Sequence, residues 1–263
     1  MRVTLVVPTL NESQSIAHVL RLYRTAAAEA NATVFQDDPV EWEALVVDGA
    51  SSDGTAAIAE AEGARVLIER RRGYGRAYRT GFAAARGDLL ATADGDATYP
   101  VETVPMLVKR VREEGIDFLT GNRFAYLDRT AMTTEHRIGN RILNFFVNFA
   151  FHSQLVDLPD QRLRDSQSGF WVFRRSLLDR LRLTQDGMAF SEELKIEAIL
   201  RGGRFVEVPI RYGERWGPPK LSSWRDGVRN LRFVLGKRFE VSREVRQGTL
   251  VPLAKGGEHR LSP

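Results

Sequence analysis

Over the first hundred residues, short aliphatic segments alternate with helical patterns, and that alternation fixes the class of fold. Val3–Val7 (with Pro8 at its end), Glu43–Asp48, Ala64–Ile68 and Asp88–Ala93 read as buried strands. Helices are expected from about Ser15 to Ala30, from Thr55 to Ala61 and from Arg76 to Ala85. Four such repeats imply an α/β fold, a mostly parallel sheet flanked by helices on both faces. Ligands bind such sheets outside the C-terminal ends of the strands. Asp48 and Asp94 each stand at such an end.

Beyond Arg123 the alternation loosens. Helical patterns lie at about 136–151 and 191–202, a strand at 204–211, and a basic amphipathic stretch begins at Trp224. The expected division is one domain over 1–222, then a basic amphipathic helix and loose tail over 223–263. No cysteine is present, which excludes a disulfide scaffold, a thiolate zinc site and a cysteine nucleophile. A formal charge of +4 and a pI near 9.6 suit an anionic partner: nucleotide, phospholipid surface or nucleic acid. No apolar run reaches the roughly 18–20 residues that span a bilayer, and the N-terminal run is too short for a signal peptide. A cytoplasmic protein is expected.

The sharpest local feature is Asp94-Gly95-Asp96. Two carboxylates one residue apart, where the chain leaves a strand, can converge on one Mg²⁺ or Mn²⁺ whose shell a diphosphate completes. A solvated turn would look the same. Asp48 can accept a hydrogen bond from a ribose hydroxyl or a base N–H, or it can close a capping turn. Arg70, Arg71, Arg72 and Arg76 surround Gly73 and Gly75 ahead of a helix, a setting that can hold phosphate or merely be a basic loop. Asp165-Ser166-Gln167-Ser168-Gly169-Phe170 says only loop, then buried segment.

Taken in order, Val6–Glu12, Val46–Thr55, Gly73–Ala77, Gly87-Asp88, Asp94–Asp96 and Asp165–Phe170 resemble glycosyltransferase family 2. The nearest likeness is to dolichyl- or polyprenyl-phosphate hexose synthases, including archaeal enzymes that start N-glycan assembly. The resemblance covers about residues 3 to 225. It implies a GT-A fold, an inverting mechanism and a divalent metal. It also implies that Pro8 and Glu12 shape the nucleotide pocket with Arg76, and that Asp48 binds the nucleoside. Asp94 and Asp96 would flank the diphosphate and metal, and Asp165 matches the family's acidic residue near the acceptor. One departure is Thr98, where mannosyl-phosphate relatives often carry a glutamine as a further metal ligand.

A phosphate monoester, with a second pKa of about 6, is already ionised at neutral pH, so a lipid phosphate acceptor needs cations more than it needs a base. Arg123, Arg215 and Lys220 are the candidate acceptor clamps, with Arg137, Arg141 and Arg211 near them in the chain. A saccharide hydroxyl acceptor would instead make Asp165 the base. A nucleotide- or RNA-binding protein is the rival of another class, but no aromatics interleave with the arginines as stacking platforms. Asn140, Asn144 and Asn148 form one polar stripe on an otherwise apolar helix, which is either buried in a core or dipped into lipid. Trp224, Val228, Leu231, Leu235 and Phe239 share one helical face among arginines, the pattern of a membrane-surface or partner-docking helix. The expected partners are therefore a nucleotide-sugar, a polyprenyl phosphate and the cytoplasmic face of a membrane, without nucleic acid.

Overall fold

The computed structural model describes residues 1–127, 132, 134–155, 162–201, 203–217 and 223–250. Its elements run β1 (Arg2–Thr9), α1 (Ile16–Ala32), β2 (Glu41–Asp48), α2 (Thr55–Ala61), β3 (Arg65–Ile68), α3 (Tyr74–Ala84) and β4 (Leu89–Thr92). Then follow α4 (Val104–Glu113), β5 (Phe118–Leu127), α5 (Thr134–Phe151), β6 (Trp171–Arg174), α6 (Phe190–Leu200), β7 (Phe205–Tyr212) and α7 (Ser223–Arg246). The seven strands form one sheet in the order β3-β2-β1-β4-β6-β5-β7. β6 runs antiparallel to both neighbours, and the remaining pairs are parallel.

The central strands are buried on both faces, which is why they read as unbroken aliphatic runs. Val3, Leu5 and Val7 of β1 point into one core with α1 and α4, while Val6 points into the other with Tyr78 and Phe82 of α3. The second core is aromatic: Phe118, Trp171, Phe173 and Phe190 pack there, with Val147 and Phe151 of α5 and Val234 and Val241 of α7. α3 lies so close to the sheet that a Cβ on Gly81 would stand 2.5 Å from Val6 Cγ1.

α7 is held in an unusual way. Its buried face carries Asn230, Lys237 and Glu244 beside Val234 and Val241. Lys237 meets the buried Glu197 of α6 at 2.6 Å, and Arg201 bridges Glu197 and Glu244 at 3.1 Å each. Arg182 also pairs with Glu244. The opposite face exposes Val228, Leu235 and Phe239. The apolar stripe expected from the sequence therefore points outward, with Leu231 half-buried at its edge. α5 divides three ways: Leu143, Val147 and Phe151 inward, the asparagines to one side, and Ile138, Ile142, Phe145 and Phe149 outward. The expected tail and the side chain of Trp224 lie outside the described residues.

Removing one partner of a buried pair strands the other charge. Lys237→Ala should cost about 3–5 kcal/mol of stability in denaturant unfolding, while Lys237→Met combined with Glu197→Gln should recover most of it. Equal losses in the single and double variants would show that the α6–α7 ion pairs do not hold the helix.

Candidate active site

Three loops leave the C-terminal ends of β1, β2 and β4 side by side. Each contains a non-glycine residue in the left-handed region: Asn11 at φ 54°, Ala50 at φ 57° and Ala97 at φ 65°. Strain of this kind persists only where the surroundings over-determine it, and it clusters at functional sites. No sequence pattern announced these positions. Asn11 Oδ1 accepts from Ser52 N at 2.9 Å, and Ser51 Oγ accepts from Asn11 N at 2.8 Å, so the first two loops brace each other.

Asp94-Gly95-Asp96 forms the third loop. A Cβ on Gly95 would lie 2.8 Å from Thr9 Cγ2 and 3.4 Å from Glu12 Cγ, so glycine serves close approach here. Glu12 is buried against this turn, and Pro8 precedes it at the end of β1. Asp94 Oδ1 accepts from Tyr74 Oη at 3.3 Å, with Tyr78 Oη at 3.5 Å. Burial and then the Asp96 charge push the Asp94 carboxyl up to about 7. Asp96 Oδ1 accepts from Thr98 N at 3.1 Å and Thr98 Oγ1 at 2.6 Å. Thr98 thus orients Asp96 from behind. Asp96 Oδ2 is buried and lies 2.6 Å from Arg215 Nη2, yet meets no directed hydrogen bond.

The segment after β7 crosses this turn. Gly213 N donates to Thr98 O at 3.0 Å, Trp216 N donates to Asp96 O at 3.0 Å, and Trp216 stacks on His18 with centroids 4.6 Å apart. Arg215 is thereby brought to the two carboxylates. Lys220 lies outside the described residues.

Asp48 is buried beside these loops, but its oxygens already accept from Thr9 Oγ1 (3.0 Å), Ser51 Oγ (2.6 Å) and Ser51 N (2.8 Å). The Arg70–Arg76 segment, read from the sequence as either a phosphate holder or a basic loop, spends two N–H groups at the start of α3 on the chain itself. Gly75 N and Arg76 N donate to the carbonyls of Gly187 and Asp186, and the Arg76 guanidinium pairs with the Asp186 carboxylate. A Cβ on Gly73 would fall 2.2 Å from Asp186 O, so the glycines admit this loop.

On the other side, Arg123 and Asp165 face each other in a buried bidentate pair, 2.8 Å at both bonds, with Arg123 N adding a third at 3.0 Å. Burial alone would raise Asp165; the Arg123 charge and hydrogen bonds hold it below its ordinary range. Lys195, which sequence reasoning passed over, donates from Nζ to the carbonyls of Asp165 (2.7 Å) and Ser168 (2.9 Å). Gly169 N donates to Tyr99 Oη at 2.8 Å, which ties this loop to the Asp94 turn.

Glu193 caps Thr184 and Gln185, whereas Glu192 is fully buried and both its oxygens lack a directed partner. Burial pushes Glu192 up to about 8, against the opposing charge of Lys195 and the amide of Gln167.

Residues 4–182 match the family model described as glycosyl transferase family 2. The chain belongs to that family. This glycosyltransferase is 32% identical over 234 residues to the low-salt glycan biosynthesis hexosyltransferase Agl6 of Haloferax volcanii, covering 88% of its own length and 52% of the relative. It therefore spans about half the length of that relative. It is also 32% identical to a dolichyl-phosphate hexose transferase of the same organism, covering 85% of its own length and 88% of the relative. Glucosyl-3-phosphoglycerate synthase of Mycobacterium tuberculosis, solved with Mn²⁺, UDP and product, aligns at a TM-score of 0.67 and 23% identity over 90% of this chain and 79% of that one. That likeness shows the GT-A fold.

Because Glu192 holds its proton more tightly when folded, the glycosyltransferase should lose stability as pH rises from about 4.5, its unfolded pKa, toward about 8. Thermal unfolding of Glu192→Gln across this window should show a flatter profile than wild type. Parallel profiles would mean the carboxyl titrates elsewhere.

Proposed function

We propose that this glycosyltransferase transfers a hexose or N-acetylhexosamine, with inversion, from a UDP- or GDP-sugar to a dolichyl or polyprenyl phosphate at a membrane surface. The observation that carries the reading is the outward apolar face of α5 and α7 beside the Asp165 loop. Phe145, Phe149 and Phe239 are 64%, 76% and 75% exposed. Exposed arginines on the same helices (Arg141, Arg232 and Arg243) complement an anionic lipid surface. No helix among the described residues is long and apolar enough to cross a membrane. The contact in this reading is peripheral and lies at the cytoplasmic face. The relative named for dolichyl-phosphate hexose transfer supports the same acceptor.

No group of three potential metal-ligating side chains exists among the described residues. Asp94 and Asp96, whose Oδ2 is ion-paired to Arg215 but meets no directed hydrogen bond, fit a cation that draws its other ligands from a diphosphate. Bound there, Mg²⁺ or Mn²⁺ would neutralise charge on the departing nucleoside diphosphate. Pro8, Glu12 and Asp48 border the nucleotide end of the site, and Arg76 supports it by fixing the 185–187 loop. Arg215 supplies positive charge between diphosphate and acceptor, with Lys220 as a further clamp. The phosphate oxygen attacks the anomeric carbon without help from a base. Asp165 suits that chemistry: paired to Arg123 and held ionised, it orients the acceptor side and has no free oxygen pair for proton abstraction. The same pairing disfavours a saccharide hydroxyl acceptor.

Labelled UDP- and GDP-sugars presented with polyprenyl phosphate vesicles and Mg²⁺ or Mn²⁺ should yield lipid-phase label from one donor. EDTA should abolish it, and Asp96→Ala should lower it by about a hundredfold or more. Phe145→Ser with Phe149→Ser should weaken vesicle flotation while nucleotide binding persists. Retained flotation, or lipid labelling that survives EDTA, would contradict the reading.

A further inference from the structure

The asparagines of α5 take up neither a core role nor a lipid-facing one. Asn144 Nδ2 donates to Arg164 O at 2.6 Å, and Asn144 Oδ1 accepts from Ser166 N (2.8 Å) and Ser166 Oγ (2.6 Å). Asn148 brackets Leu163, donating to its carbonyl and accepting from its N–H at 2.8 Å each. From α7, Asn230 Nδ2 donates to Gln167 Oε1 at 3.1 Å. The backbone of 163–166 thus finds much of its hydrogen bonding in side-chain amides of α5, while α7 reaches the same loop only through the Gln167 side chain. Glu207 of β7 accepts from Arg164 N and Asp165 N at 2.8 Å each, and Lys195 holds the carbonyls of Asp165 and Ser168 from α6. Asp165, in the middle of this segment, pairs with Arg123.

We propose that Asn144, Asn148 and Asn230 are positioning residues for transfer: they fix the Asp165 segment to the two lipid-facing helices, so that seating of α5 and α7 sets the place of the Asp165–Arg123 pair relative to the acceptor phosphate. The inference rests on the lipid-phosphate reading above. Its physical basis is that these side-chain amides satisfy partly buried backbone groups of the loop, and deleting one leaves a donor or acceptor without its partner. A helix that merely packed in a core would be served as well by leucine at these positions. Here each amide is used on both its oxygen and its nitrogen at Asn144 and Asn148.

The test combines amide hydrogen exchange with kinetics on the full chain. Binding of wild type to anionic vesicles containing polyprenyl phosphate should slow exchange at Leu163 and Ser166. Asn148→Ala should still float with the vesicles but lose that protection. Asn144→Ala and Asn148→Ala should lower kcat about tenfold or more, with KM for the nucleotide-sugar within about twofold of wild type. Asn144→Asp, which keeps the acceptor toward Ser166 and gives up the donor toward Arg164, should fall between. A purely structural role would lower melting temperature and donor affinity together, without the kcat-specific loss. Wild-type protein that neither floats nor labels lipid would sink the lipid-phosphate reading, and this proposal with it. Wild type that does both, yet shows unchanged exchange at these amides or full kcat in the alanine variants, would overturn the positioning role alone.

Discussion

A guanidinium and a carboxylate buried together bind the site into one piece. Arg123 projects from β5 where the register with β7 shifts between Asn122 and Tyr126, and such irregularities re-aim side chains. Its partner Asp165 arrives on a loop from a distant part of the chain, and the guanidinium also lies 5.4 Å from the ring of Tyr212. Neither charge is tolerable alone in that setting. The strand irregularity, the α5 amides, the Asn230–Gln167 contact and the Lys195 contacts all help to place this pair. Through Tyr99 and Gly169 the same loop is referenced to the Asp94 turn. The Asp94 turn and the Asp165 loop are in this way held together across the site.

The donor half was largely legible in the sequence because it is local. Strand, polar loop and helix follow one another within a few residues, so the sequence alone puts Asp48, Asp94 and Asp96 at strand ends. The boundaries of the first four strands fell close to those observed. The acceptor half depends on contacts between remote segments, and there the reading thinned. α4 and β5 were not picked out, and the antiparallel β6 registered only as a buried stretch. Nothing local to Lys195 says that its ammonium will serve two carbonyls about thirty residues away in sequence. The arginines near Gly73 leave a phosphate holder and a plain basic loop both open, because glycine beside a helix start serves either. Here it lets another loop approach.

The two outer helices show how polarity can be inverted to serve a surface. α7 docks through Asn230, Lys237 and Glu244, groups that would ordinarily face water, and turns aromatic and aliphatic side chains outward. α5 uses asparagines as tethers and leaves phenylalanines exposed. Periodicity alone could show that each helix has an apolar face. It could not say which way that face turns, because the compensating charges sit on α6 and on loops elsewhere in the chain.

The central claim is that an ionised phosphate, needing no base, accepts the sugar. Its most direct measurement compares polyprenyl phosphate with the corresponding polyprenol in identical vesicles, using the same labelled donor and metal. The account predicts label on the phosphate compound and none above background on the alcohol. Transfer to the alcohol at a comparable rate would require a base that the buried, Arg123-paired Asp165 does not provide, and would contradict it.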